Sequence, residues 1–220
     1  MLEHTHRSLF IPGPAGRLEG ILWTPSPEAP NPPFAALVCH PHPLYGGSMH
    51  NKVVYQVNKT LDRLGLPVLR FNFRGVGRSE GAHDNGRGEC EDVRAGFDFL
   101  AAEFHSAPLL LAGFSFGCLV GLRAGCEDVR VAELIGLGAP VDGSDFSYLK
   151  SCAKPKLFLQ GDHDQFGARA KLEALVGSLP GTNELIFVPD ADHFFSGKLD
   201  QVDAALASWF TSRHPSLTAI

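Results

Sequence analysis

Among the residues able to act as a nucleophile, Ser115 is the best placed: Gly113-Phe114-Ser115-Phe116-Gly117 fits the pattern G-x-S-x-G directly after the apolar run 108–112. A serine at a sharp strand-to-helix turn is held with its Oγ exposed, and glycines two residues to either side remove the Cβ atoms that would collide in the bend. The pentapeptide alone is a weak signal, because glycine and serine are common in any loop. Here 116–126 reads as a buried helix of small and apolar residues, which supplies strand, turn and helix in order. Serine at its ordinary pKa attacks poorly, so it needs a base within hydrogen-bond reach and a carboxylate to orient that base. Both are on offer after apolar runs: Gly161-Asp162-His163-Asp164 follows 156–160, and Asp190-Ala191-Asp192-His193-Phe194-Phe195 follows 184–188. His193 is the candidate general base and acid, and Asp164 the candidate orienting carboxylate with Asp162 as its competitor. Asp190 and Asp192 read as turn formers.

The elements that must position these groups follow from the hydrophobic pattern. Runs rich in branched and aromatic residues predict strands over 34–39, 67–73, 108–114, 131–137, 156–160 and 184–188. Ahead of them, 7–11 and 18–23, joined by Pro12-Gly13-Pro14-Ala15-Gly16, read as an antiparallel pair at a sheet edge. Between the strands, Ser48 is the expected cap of a helix with Val53, Val54, Val57, Leu61 and Leu64 on one face, ending at Gly65 before Pro67. A second helix carries Val93, Phe97, Leu100 and Phe104, with Glu89, Glu91 and Asp92 near its start where the helix dipole favours negative charge. A last one carries Leu199, Val202, Leu206, Trp209 and Phe210. This alternation predicts one α/β domain over 1–220, with a doubly wound, mainly parallel sheet of about eight strands. Ser115, Asp164 and His193 would then all fall at carboxyl ends of strands, where ligand and catalytic groups gather in open α/β sheets.

The chain order Ser115, Asp164, His193 resembles that of the α/β-hydrolases, and the resemblance covers nearly the whole chain. Three further stretches carry it: His40-Pro41-His42-Pro43 with the following Leu44-Tyr45-Gly46-Gly47-Ser48-Met49, Phe71-Asn72-Phe73-Arg74-Gly75-Val76-Gly77-Arg78-Ser79, and Gly161-Asp162-His163-Asp164. The chain is similar to the small bacterial serine hydrolases of that superfamily that have no cap domain, and to the dienelactone hydrolases in size. Dienelactone hydrolases use a cysteine nucleophile where this chain has Ser115, so their substrate does not carry over. The resemblance implies an oxyanion hole from the backbone N–H groups of Phe116 and His42, and its G-x-x-D pattern favours Asp164 over Asp162. Asn72 stands where many relatives have aspartate. Only 140–155 separates the sixth strand from the seventh, too little for a lid. An uncovered site implies a carboxylic ester of a small or exposed acyl group, cleaved through an acyl-enzyme. Tyr45, Phe114, Phe116, Phe166, Phe194 and Phe195 can line an acyl or aryl pocket or be core. Acyl transfer, thioester, amide or peptide cleavage share the same tetrahedral intermediate, and a non-catalytic binding module is the reading from another class.

Composition removes other classes. With 19 Lys and Arg against 24 Asp and Glu, the net charge of -5 has no basic run for nucleic acid. No apolar run approaches the roughly 18 residues of a membrane span, and the N-terminus lacks a secretory pattern, so the expectation is a soluble cytoplasmic protein. The stretch 25–33, rich in proline, reads as a surface loop. Cys39, Cys90, Cys118, Cys126 and Cys152 are odd in number, widely spaced and form no disulfide framework; Cys118 and Cys126 read as small buried apolar residues. His40, His42 and His50, or Asp162, His163 and Asp164, lack a fixed ligand spacing, so neither metal nor cofactor is expected. Gly75 and Gly77 lack the rest of a phosphate loop. Arg78 and His83 stand in a loop whose relation to ligand the pattern leaves open.

Overall fold

The computed structural model describes residues 5–25 and 32–215. The expected antiparallel pair is present as β1 (Thr5–Gly13) and β2 (Gly16–Thr24), followed by β3 (Ala35–Cys39), α1 (Lys52–Arg63), β4 (Val68–Phe71), α2 (Arg87–Glu103), β5 (Leu109–Phe114) and α3 (Phe116–Glu127). Then come β6 (Val131–Leu137), β7 (Lys156–Gly161), α4 (Arg169–Gly177), β8 (Asn183–Val188) and α5 (Leu199–Arg213). The eight strands form one sheet in the order β1-β2-β4-β3-β5-β6-β7-β8. β2 meets β4 antiparallel, and from β4 to β8 every neighbour is parallel.

Strands buried on both faces must be apolar throughout, and β3 and β5 are. Their alternate residues feed two separate cores. Leu37, Cys39, Leu109 and Leu111 face Val93, Phe97 and Leu100 of α2 and Cys118, Leu122 and Ala124 of α3. Ala36, Val38, Leu110 and Ala112 face Val53, Val57 and Leu61 of α1 and Val202, Leu206 and Phe210 of α5. α4 adds Leu172 and Val176 to the first core.

Two local expectations change. The cap of α1 is Asn51, not Ser48: the Asn51 carboxamide oxygen accepts from Val53 N–H at 2.9 Å and Val54 N–H at 3.5 Å, whereas the Ser48 hydroxyl accepts only from His50 N–H at 3.3 Å. Met49 is fixed just ahead of the cap by Asn72 and Arg70, which places the helix start three residues later than the first capable side chain. α4 is only nine residues long and buries just Leu172 and Val176, too short a stripe for the pattern to pick out. Between β6 and β7 there is only the 3-10 turn Ser147–Ser151, with no lid. Most of the 25–33 loop and the first four residues lie outside the described residues. Among the described residues no helix is long and apolar enough to cross a membrane.

Candidate active site

Ser115 sits between β5 and α3 at φ 56° and ψ −115°, a conformation side chains rarely adopt. Such a residue costs about 1–3 kcal/mol, which its surroundings must offset. The clamp here is backbone packing: a Cβ on Gly113 would lie 2.3 Å from Gly117 O, and one on Gly117 would lie 2.5 Å from Cys39 O. The Ser115 N–H donates to Leu137 O at 2.9 Å, tying the turn to β6. Phe116 is the first residue of α3, so its N–H is among those that lack a partner within the helix.

The loops after β7 and β8 bring two more groups to this turn. Ser115 Oγ lies 2.9 Å from His193 Nε2, and His193 Nδ1 lies 2.8 Å from Asp164 Oδ2. Both ring nitrogens are thereby used, and Asp164 and His193 are buried. An ionised carboxylate can only accept, so Nδ1 carries the proton and Nε2 is left to accept from the serine hydroxyl. Asp164 is itself held: Oδ2 accepts from Gln160 Nε2 at 2.7 Å, Oδ1 from Phe166 N–H at 2.8 Å. Gln160 Oε1 accepts from Ala139 N–H at 2.8 Å, which fixes which end of that amide faces Asp164. Asp164 reaches the histidine, whereas Asp162 Oδ1 is buried with no hydrogen-bond partner. Asp192 is a turn former as expected, accepting from Phe194 N–H, Ser196 N–H and Ser196 Oγ around His193.

The loop after β3 passes beside Ser115, since His40 O would also be 2.6 Å from a Cβ on Gly117. His40 is buried, and its ring grips two backbone groups: Nε2 accepts from Phe73 N–H at 3.0 Å, and Nδ1 donates to Pro41 O at 2.6 Å. The Pro41 carbonyl and the His42 N–H belong to one planar peptide, so holding the first orients the second. Gly47 N–H donates to His42 O at 3.1 Å, and a Cβ on Gly47 would lie 2.1 Å from Pro41 O, so only glycine fits there. Met49 is anchored by Asn72 Oδ1, which accepts from its N–H at 2.8 Å, and by Arg70 Nη1, which donates to its carbonyl at 2.9 Å. The asparagine that departs from the relatives' aspartate thus serves this loop, with its Nδ2 donating to Glu19 at 2.9 Å.

Burial pushes the His40 pKa down from 6.5 to about 4. A histidine whose folded pKa lies below its unfolded one contributes stability that is full above about pH 6.5 and lost as pH falls toward about 4. The full difference is worth roughly 3 kcal/mol. Denaturant unfolding at a series of pH values should therefore show stability falling through this window, and His40→Asn, less stable at pH 7, should show a shallower fall.

The rim of the site is aromatic. Phe166 and Phe194 are 47% and 52% exposed, with ring centroids 4.7 Å and 5.2 Å from that of His193. Tyr45 is 86% exposed and lies 4.8 Å from the His42 ring. Phe114 and Phe195 are buried and belong to the core, although Phe114 forms a floor 5.2 Å beneath His193. Phe116 is buried under His42 and His83, at 4.8 Å and 5.7 Å. His83 therefore belongs to the site margin, with its Nδ1 2.8 Å from buried Glu89. Arg78 does not; it stacks over Phe10, 4.8 Å away. An open groove of about 790 Å³, lined by Ser48, His50, Lys52, Phe194, Leu199 and Asp200, adjoins the histidine through Phe194. Gln160 and His40 carry no sequence signal for their parts in this arrangement, because their partners are backbone groups and a carboxylate supplied by folding.

Residues 37–207 match the family model described as an alpha/beta hydrolase domain. An uncharacterized protein of Rickettsia prowazekii is 38% identical over 90% of this chain and 86% of its own length. An alpha-beta serine hydrolase homologue from Coxiella burnetii is 37% identical, with a TM-score of 0.85 over 92% of this chain and 96% of that one. A serine hydrolase without a lid from Xanthomonas campestris is 39% identical, with a TM-score of 0.84 over 91% of each chain. With that family match, the lidless β6–β7 connection and the serine turn between β5 and α3, the chain belongs to the α/β-hydrolase family, in its branch without a cap domain.

Proposed function

We propose that this hydrolase cleaves carboxylic esters of small or exposed acyl groups through an acyl-enzyme on Ser115. The observation that carries the reading is the unbroken hydrogen-bonded chain from Ser115 Oγ through His193 to Asp164. In the reaction, Oγ attacks the ester carbonyl while His193 Nε2 takes its proton, and the imidazolium is stabilised by Asp164 across Nδ1. The carbonyl oxygen gains negative charge and is met by the N–H groups of Phe116 and His42; each such donor is worth about 100-fold to 1,000-fold in rate. His193 then protonates the leaving alkoxide, and water repeats the sequence on the acyl-enzyme. The exposed rings of Tyr45, Phe166 and Phe194 favour an apolar or aryl group, and the missing lid leaves the rest of the substrate in solvent. The partner is accordingly a small molecule.

Fluorophosphonate labelling tests this. The probe forms an Oγ–P bond and releases fluoride only if the serine is activated, so peptide mapping should find stoichiometric label on Ser115 and none in Ser115→Ala. A folded wild-type protein that takes up no label would instead leave a binding module on a hydrolase scaffold. A panel of ester, thioester and amide substrates then separates hydrolysis of these bonds, with transfer seen as product formed on an added alcohol.

A further inference from the structure

The loop between β4 and α2 brings a third ring to the serine turn. Glu89, in the first turn of α2, is fully buried, and three groups of that loop converge on its carboxylate. Oε1 accepts from Asp84 N–H at 2.9 Å and lies 2.8 Å from His83 Nδ1, while Oε2 accepts from Gly86 N–H at 2.7 Å. The contact with His83 is one of proximity rather than an aligned hydrogen bond, since buried Nδ1 has no hydrogen-bond partner, so packing decides where the ring sits. Gly86, at φ 89°, keeps the loop close to α3: a Cβ there would lie 3.3 Å from Val120 Cγ1. The His83 ring packs on His42 and Phe116 at centroid distances of 4.9 Å and 5.7 Å, and those two pack on each other at 4.8 Å. The rings close a triangle whose corners come from the loop after β3, the start of α3 and the loop before α2. Two corners are the residues proposed to supply the oxyanion N–H groups. Neither moves its ring independently of its backbone: Phe116 opens α3, and His42 Nδ1 accepts from Leu44 N–H at 3.2 Å, which ties that ring to its own loop. Tyr45, also against His42, is exposed and gives little support, whereas the His83 side chain is only 9% exposed.

We infer that His83, seated on Glu89, is a positioning residue for the oxyanion hole: it holds the His42 and Phe116 rings at the separation that lets their N–H groups converge on one oxygen. The inference rests on the acyl-enzyme reading, which supplies the oxyanion. His40 and His83 then divide the work. His40 fixes the tilt of the Pro41–His42 peptide from the core, and His83 fixes the gap between that peptide and α3. A hydrogen bond weakens as it lengthens or bends, so a gap that opens weakens both donors toward a charge that exists only in the transition state. The ester itself, uncharged at that oxygen, is little affected. Acylation and deacylation both pass through the hole, so both slow together and the loss falls on kcat rather than on KM.

The test is steady-state hydrolysis of p-nitrophenyl acetate by the full chain carrying His83→Ala or His83→Phe, together with inhibition by an aryl trifluoromethyl ketone. Ser115 Oγ adds to the ketone carbon, the serine proton passes to His193, and the carbonyl oxygen stays in the hole as an oxyanion, so the inhibition constant reads the hole directly. In His83→Ala, kcat should fall by about 10-fold to 100-fold with KM within about twofold, and the ketone should bind more weakly by the same factor. His83→Phe keeps an aromatic ring against both neighbours and should recover kcat to within about threefold of wild type. Rates are taken per active site titrated with a fluorophosphonate, so misfolded protein does not enter them. A His83→Ala kcat within about twofold of wild type, or a raised KM with unchanged ketone affinity, would overturn the inference. So would His83→Phe as slow as His83→Ala. A wild type that takes up no fluorophosphonate would remove the acyl-enzyme reading and this inference with it, an outcome distinct from failure of the His83 variants alone.

Discussion

Ser115→Ala and His193→Ala are each expected to lower the turnover of an activated ester such as p-nitrophenyl acetate by about 10⁴-fold to 10⁶-fold, and the double variant to be no slower than either. The reason lies in the single hydrogen bond between them: in the proposed mechanism His193 Nε2, 2.9 Å from Ser115 Oγ, takes the serine proton and hands it to the leaving group. Remove the serine and there is no proton to take; remove the histidine and the hydroxyl, at its ordinary pKa, is a poor nucleophile. Independent contributions of this size would multiply, and the product would exceed the whole rate enhancement of many enzymes. Residues acting as one unit do not multiply. Ser115 occupies a turn held by backbone contacts at Gly113 and Gly117, and the loop that carries His193 packs its Ala191 carbonyl against Gly161, so circular dichroism and thermal unfolding of the variants should remain close to wild type. Initial rates with saturating ester decide the matter. A His193→Ala rate within about tenfold of wild type would remove the histidine from the proposed mechanism.

Legibility in the sequence follows the range of the interactions that set each feature. Ser115 is readable because an elbow is local: strand, glycine, serine, glycine and helix follow one another within a short stretch. The sheet is readable for the same kind of reason, since β3 and β5, buried on both faces, are continuous apolar runs. Asp164 against Asp162 is a closer matter. Both follow Gly161 within three residues, and the choice is made by the approach of the β7 and β8 loops, so tight that a Cβ on Gly161 would lie 2.3 Å from Ala191 O. Asn51 displaces Ser48 as the α1 cap because Asn72 and Arg70, from a different strand region, pin Met49 between them. His40 is further from reach: its ring accepts from a backbone N–H 33 residues away, and no spacing rule encodes a partner that any residue type could supply. The aromatic rim divides on exposure alone. Phe194 and Phe195 are neighbours in sequence, yet one is half exposed and the other fully buried.

Asp164→Asn should reduce kcat by about 10⁴-fold with little change in KM. Charge is the smaller part of this expectation; the larger part is a conflict of donors. The Oδ2 position must accept from two donors at once, His193 Nδ1 at 2.8 Å and Gln160 Nε2 at 2.7 Å, and the Oδ1 position must accept from Phe166 N–H at 2.8 Å. An asparagine has one acceptor end and one donor end. If its oxygen faces the histidine, its NH₂ points at the Phe166 N–H, and two buried donors oppose each other. If its oxygen faces Phe166, the NH₂ points at His193 and at the Gln160 amide, whose own orientation is locked by Ala139 N–H at 2.8 Å. The histidine can then be accommodated only by moving its proton to Nε2, the atom that must receive the proton of Ser115. Each orientation therefore either distorts the loop that carries the carboxylate or installs the wrong tautomer. Asp162→Asn meets none of these constraints and should leave kcat within about twofold of wild type, because its neighbour two residues on makes the contacts that matter. Steady-state kinetics of the two variants beside wild type check the contrast. Equal effects of the two substitutions would show that the charge of the loop, rather than the hydrogen-bond pattern at Asp164, supports the histidine.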